Sequence, residues 1–278
     1  MIIGFYGKGG SGKSTVATQM AFCMNQLEKK ILAIDADHNM DLSYNLTGGT
    51  DAKDFSYIGN SREEIKKYLG LKEHQKYSDA FIDIPKKKFS LTPKDVFTEK
   101  YTNPINNRID LMISGYKTDK VLHEKACAHS LSAPLKVFLP LLNLQEDEVV
   151  IVDEKAGADG VTTGIVSGID VAVIICEPAL HSVKAALQIA ELMNFYNTPY
   201  LFVGNKVGNK NDEDFIENSL GKKVSTFLPA VKELQQNPSL YNEKIAGELE
   251  NIHKKFKALN QNNRLKRTIE KYKKNRKM

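Results

Sequence analysis

"GKGGSGKST" occupies residues 7–15, between the apolar run Ile2-Ile3-Gly4-Phe5-Tyr6 and a helical pattern that starts "VATQMAFCM". Gly7, Gly12, Lys13 and Ser14 satisfy the spacing G-x-x-x-x-G-K-[ST], and the mechanism of that motif requires a strand before it and a helix after it. Both are present. Gly7, Gly9, Gly10 and Gly12, with Ser11 among them, let the backbone wrap closely around phosphate groups, and the amides at the helix start point at the anion. Lys13 is expected to neutralise the β and γ phosphates. The Ser14 hydroxyl is expected to ligate Mg²⁺, with Thr15 behind it, so the loop implies bound ATP and Mg²⁺.

Working outward, apolar runs of strand length recur at residues 2–6, 31–35, 109–113, 148–153, 170–176, 199–204 and 223–228, several of them rich in Val and Ile. Helical spacing of apolar residues fills 14–29, 133–144 and 181–196 between them. Strands that alternate with helices imply a parallel sheet covered on both faces. The expected fold is α/β, a doubly wound, mostly parallel sheet flanked by helices, in one domain spanning 1–278. Residues 50–107 are polar, carry Lys86, Lys87 and Lys88, and are broken by Pro85, Pro93 and Pro104, which predicts an insertion or lid with little core of its own.

The net charge of +5 hides an asymmetry. Residues 254–278 hold eleven Lys or Arg against the single acid Glu270, so the tail is basic and the rest of the chain is acidic on balance. Such a tail can attract nucleic acid or anionic lipid. Leu265, Ile269 and Tyr272 recur in it at helical spacing, and this stripe predicts a helix docked on the body. No apolar run approaches the roughly 18 residues of a membrane span. Three cysteines without a repeating spacing fit a reducing compartment, so the expected location is cytoplasmic, with Cys23 and Cys176 as core residues.

Two acidic segments complete the phosphate chemistry. "ILAIDADHNMDLS" ends the second strand with Asp35, Asp37 and Asp41, and "EVVIVDEKAGADG" places Asp153 after a buried strand, followed by Gly157 and Gly160. Carboxylates at strand ends position water or Mg²⁺ beside phosphates, so Asp37 and Asp153 are candidate Mg²⁺ groups together with Ser14.

Lys8 narrows the class. A lysine directly after the first glycine marks the deviant Walker A motif, and here the chain resembles the MinD, ParA, nitrogenase iron protein and CooC group of dimeric ATPases. The resemblance implies a homodimer formed on ATP binding, with Lys8 reaching across a two-fold interface to the partner's nucleotide. Such a cation would act as an arginine finger does, a device worth about 10³ to 10⁵ in rate. It further implies that Lys8, Lys13 and Asp37 are catalytic, Asp37 orienting the attacking water. Asp41 is then a γ-phosphate sensor or interface contact, Asn205 and Lys206 in "YLFVGNKVGN" meet the adenine, and Pro229 packs beside the base.

Within the group the chain is most similar to CooC, the nickel-insertion ATPase of carbon monoxide dehydrogenase maturation. "PKDVFTEKY" (93–101) and "DEKAGADG" both resemble segments of it. Where CooC carries C-x-C and binds metal between subunits, this sequence has Cys127-Ala128-His129 in "HEKACAHSLSAPLKVFL". Two such pairs across a dimer axis make a Cys₂His₂ set acceptable to Zn²⁺ or Ni²⁺. The implied partner is a client metalloenzyme. A nitrogenase iron protein-like reductase would need a second cysteine in the switch, and "DEKAGADG" has none. The alternative function is a ParA- or MinD-like positioning ATPase acting on DNA or membrane through the basic tail.

Overall fold

The computed structural model describes residues 1–50, 54–82, 87–115, 131–259 and 263–275. Its centre is an eight-stranded sheet. In chain order the strands are β1 (Ile2–Gly7), β2 (Lys30–Asp35), β4 (Asn103–Pro104), β5 (Ile109–Ile113), β7 (Glu148–Asp153), β8 (Val171–Cys176), β9 (Tyr200–Val207) and β10 (Thr226–Pro229). Short β3 (Phe89–Ser90) and β6 (Leu142–Asn143) pair separately. The spatial order is β10-β9-β8-β1-β7-β2-β5-β4, parallel throughout except for β4, which runs antiparallel along β5. All seven strand regions expected from the sequence are strands here.

Every residue of β1, β7 and β8 is buried, as befits strands with helices on both faces. Side chains alternate between the faces. Ile3 and Phe5 join a core with α1 (Lys13–Gln26) and α10 (Glu243–Leu259), whose Ile245, Leu249, Ile252 and Phe256 are buried in it. Ile2 faces the opposite core, with α5 (Leu135–Leu141) and α11 (Arg264–Asn275). Tyr6 stands on that same face among α7 (Leu180–Phe195) and α8 (Lys210–Leu220).

Residues 54–82 and 87–107 share the core of the body: Ile58, Ile65, Leu69, Phe81, Phe89 and Phe97 pack against the sheet and α5, each of them buried. Phe89 stacks on Tyr68 at 5.2 Å between centroids and meets Phe138 of α5 at 4.8 Å. These apolar residues are dispersed among lysines and short turns of helix, including α3 (Arg62–Tyr68) and α4 (Val96–Tyr101), so no periodicity announces them.

The basic tail docks as its stripe predicted. Leu265, Ile269 and Tyr272 of α11 pack on the core, and Tyr272 stacks on Phe81 at 5.2 Å. Arg264 pairs with the buried Asp170 at 3.3 Å, and Asp170 also accepts the Ile2 amide at 2.8 Å. The tail is thereby fastened to the start of β1. Among the described residues no helix is long and apolar enough to cross a membrane.

Candidate nucleotide site

The loop after β1 and the start of α1 lie at the carboxyl end of the sheet, beside the ends of β2 and β7, where a doubly wound sheet places ligands. Two glycines are fixed by space. A Cβ on Gly7 would lie 2.6 Å from the Ile175 carbonyl, and one on Gly12, at φ +90°, would lie 2.3 Å from the Asn205 amide nitrogen. Gly12 is also the residue from which α1 starts, and any L side chain there is strained.

Lys13, the first residue of α1, is buried. Across from it the carboxylate of Asp153 is 1% exposed, and among the described residues the Ser14 hydroxyl is the one hydrogen-bonding group beside it. Burial pushes this carboxyl up to about 6, while the Lys13 ammonium and the Ser14 hydroxyl pull the other way. A buried, under-satisfied carboxylate beside the phosphate lysine and a serine hydroxyl suits a hard cation. Mg²⁺ therefore fits at Ser14 and Asp153.

Asp35 and Asp37 share the strand end but differ. Asp35 is fully buried, and its Oδ2 accepts the amide and the hydroxyl of Ser43, both at 2.8 Å. Burial, then the charge of Asp153, pushes its carboxyl up to about 8 against those two bonds. It anchors α2 (Asp41–Thr47) to the sheet. Asp37 is nearly buried; its carboxylate takes the Asn39 amide at 3.2 Å and lies 3.2 Å from the His38 imidazole. Its own amide is held by Asp35 at 3.3 Å. Asp41 is exposed and opens α2, directly after Met40 in the left-handed region.

Lys8 is partly exposed. Its ammonium makes one hydrogen bond among the described residues, a 3.4 Å contact to the carbonyl of adjacent Gly9. The switch segment meets the loop through the Gly157 amide, which donates to the Gly7 carbonyl at 2.8 Å. A shift in one is thus felt by the other.

Asn205 and Lys206, expected at the adenine, also brace the loop. The Asn205 amide donates to the Ser11 carbonyl at 2.8 Å and the Lys206 ammonium to the Gly10 carbonyl at 2.5 Å. Lys206 sits at φ +58°, a conformation that turns it out of β9, and Glu177 holds its ammonium at 3.1 Å. Together with Thr15, Val16, Pro229 and Leu234 they line a slot beside the loop.

Three contributors escaped the sequence reading. Ser43 is one polar residue inside a short helix, Glu177 follows an apolar strand without a motif, and Glu154 stands next to Asp153. Glu177 and Glu154 shared one signal, an acid directly at the end of a buried strand. Cys127 and His129 lie outside the described residues. Among the described ones no group of three or more His, Cys, Asp or Glu could hold a metal ion. Cys23 and Cys176 are buried, and burial raises their thiols to about 11 and about 12, consistent with inert packing.

An anion cradle at a helix start, closed over by a buried ammonium and a strand-end carboxylate, places the chain among P-loop nucleotide-binding proteins. It belongs to the CobQ/CobB/MinD/ParA nucleotide-binding domain family, whose pattern matches residues 2–245. It is 30% identical over 253 residues to an uncharacterized ATP-binding protein of Methanocaldococcus jannaschii, covering 91% of this chain and 96% of that one. It is 26% identical over 219 residues to the carbon monoxide dehydrogenase accessory protein CooC of Rhodospirillum rubrum, covering 78% of each. The cell division ATPase MinD of Pyrococcus furiosus shares the fold, with a TM-score of 0.61 at 15% identity, over 91% of this chain and 98% of that one.

Proposed function

We propose that this protein is an ATP-driven switch that closes into a homodimer around two nucleotides, hydrolyses ATP, and assists insertion of a metal such as nickel into a client metalloenzyme. The observation that carries the switch is the different fate of the two loop lysines. Lys13 is buried beside Asp153. Lys8 is turned outward with no carboxylate partner among the described residues. An uncompensated cation at the rim of a phosphate cradle is matched by the phosphates of a second copy, which supply the missing negative charge.

In this reading Mg²⁺, held at Ser14 and Asp153, would neutralise phosphate charge. Asp37, almost buried and oriented by Asp35 and Asn39, positions the attacking water. Lys13 stabilises the β and γ phosphates of its own nucleotide, and Lys8 the transferring phosphate of its partner's. Asn205 and Lys206 hold the loop, and Pro229 flanks the base. The maturation role rests on the similarity to CooC, with Cys127 and His129 as the interfacial metal pair, taking Zn²⁺ or Ni²⁺ as cargo.

The test is size-exclusion chromatography with metal analysis, in ADP and in a nonhydrolysable ATP analogue. A dimer that forms with the triphosphate, retains metal, and loses the metal in Cys127→Ser supports the reading. A monomer that turns over ATP at full rate ends it. The second reading, a ParA- or MinD-like positioning ATPase, is favoured by the lysines on the outer side of α11. Its membrane form is disfavoured, because Leu265, Ile269 and Tyr272 are already occupied by the body. ATP-dependent binding to DNA without metal retention would establish it instead.

A further inference from the structure

At the end of the sheet opposite the nucleotide, beside the edge strand, lies a groove of roughly 530 Å³. β9 starts at Tyr200, but β10 first pairs with it at Val203, so Tyr200, Leu201 and Phe202 extend beyond the edge strand; Leu201 and Phe202 are buried, and Tyr200 is the partly exposed end. One backbone hydrogen bond reaches them from that side among the described residues, the Ser225 amide on the Phe202 carbonyl at 2.9 Å. An uncovered strand edge is a template for another strand.

Lys222, Lys223 and Lys255 flank this edge, all exposed. Lys222 donates to the Tyr200 hydroxyl at 3.0 Å and Lys255 to the Ser225 carbonyl at 2.9 Å, while none of the three forms an ion pair among the described residues. Several lysines elsewhere on the surface do. Lys254, next to Lys255, pairs with Glu250 at 2.9 Å, Lys210 with Glu213 at 2.9 Å, and Lys100 with Glu64 at 2.8 Å. The nearby acids are otherwise engaged, Glu217 by the Val224 amide at 3.0 Å and Glu248 by the Thr226 hydroxyl. Leu259 adds an exposed apolar wall.

We propose that this groove receives an acidic, extended segment of a partner protein, which adds its backbone to the free end of β9 and sets carboxylates against the three lysines. Charge complementarity selects an acidic occupant. The unpaired start of β9 at Tyr200 and the Leu259 wall select a peptide, because duplex DNA is held by many phosphate contacts and gains nothing from a backbone edge. A partner bound here leaves the carboxyl end of the sheet free, so docking and nucleotide-dependent closure are compatible on one molecule.

The experiment is fluorescence anisotropy of the full chain with a fluorescein-labelled peptide of alternating Glu and Val. The wild type is expected to bind, more weakly as salt rises. The triple variant Lys222→Glu, Lys223→Glu, Lys255→Glu is expected to bind at least ~10-fold more weakly, and a triple Lys→Gln variant by an intermediate factor. ATP hydrolysis should be unchanged in both, since none of the three touches the nucleotide site. Failure of the wild type to bind the peptide overturns the proposal, as does equal binding by the variants. Duplex DNA that displaces the peptide and binds more tightly in the same assay would also overturn it and assign the groove to nucleic acid.

Discussion

Replacing Glu154 by Gln should make this protein more stable, and by an amount that depends on pH. Glu154 follows Asp153 at the end of β7 and is fully buried. Its amide still donates to the Phe5 carbonyl at 3.3 Å, so the chain keeps to the sheet. The switch helix α6 (Ala158–Thr162) closes over it, since a Cβ on Gly160 would lie 3.3 Å from that of Glu154. The Glu154 carboxylate faces the hydroxyl of fully buried Tyr6 and the Lys155 amide, and among the described residues it has no other hydrogen-bonding group beside it. Burial pushes the Glu154 carboxyl from 4.5 up to about 8, with the Lys155 ammonium pulling down and the Asp153 charge pushing up.

A carboxyl raised in the folded state binds its proton more tightly there than in the unfolded chain. Below about pH 4.5 both states are protonated and the group costs nothing; the cost grows as pH rises toward about 8 and is constant above it. Between about pH 5 and about pH 8.5 this one side chain removes about 4 kcal/mol of stability. Glutamine cannot ionise, so the stability difference between Glu154→Gln and wild type should move by that amount in favour of the variant, about 10 °C in melting temperature. Urea unfolding of the nucleotide-free proteins at the two pH values measures it. Asp35 is present in both proteins, while Asp153 is coupled to Glu154 by charge, so the difference reads the pair with its sign set by Glu154. A difference constant to within about 1 kcal/mol would refute the buried, ionisable state of this carboxylate.

Lys8→Ala should keep ATP binding but lose ATP-dependent dimerisation and turnover, read by nucleotide titration beside sizing; normal hydrolysis would remove its role in trans. Asp37→Ala should bind ATP without cleaving it, leaving a persistent ATP-bound species on gel filtration, and rapid turnover would exclude the assigned role. Glu177→Gln loosens the hold on Lys206 and should raise KM for ATP about five-fold with little change in kcat, because a partly exposed pair is worth about 1 kcal/mol; an unchanged KM would count against the brace. Arg264→Ala removes the ion-pair partner of buried Asp170, leaving the Arg267 and Met1 charges nearby, and should cost roughly 2 kcal/mol by urea unfolding, whereas a loss below about 0.5 kcal/mol would show that the tail is not fastened there.

The strands and the loop were legible because each rests on a local pattern. Ile2 to Gly7, Glu148 to Asp153 and Val171 to Cys176 are continuous apolar runs, which only a strand covered on both faces requires, and the glycine spacing after β1 leaves little choice of backbone. The docked tail was legible from its stripe. The core contribution of residues 54–82 and 87–107 was not, since Phe89 and Phe97 meet Phe138 only after the chain has travelled from α4 to α5. The bond from Ser43 to Asp35 and the hold of Glu177 on Lys206 join residues 8 and 29 positions apart, across loops whose course no periodicity encodes. Patterns reveal elements; they do not reveal which side chains the elements bring face to face.

The two lysines of one loop are separated by how the backbone turns between them. The Ser11 amide donates to the Lys8 carbonyl at 3.1 Å, closing a tight turn, and Gly12 in the left-handed region then starts α1. Lys13 is thereby carried inward to the strand ends, where Asp153 already offsets its charge within the chain. Lys8, before the turn, is left at the rim. Bringing two such rims together in the absence of nucleotide sets cation against cation, whereas a triphosphate in each cradle offers every rim lysine an anion on the opposite copy. In the proposed dimer, association that follows the presence of the γ-phosphate and reverses on its loss has its interface charge from the bound nucleotide itself, and the Gly157 contact to Gly7 links the loop to the switch segment.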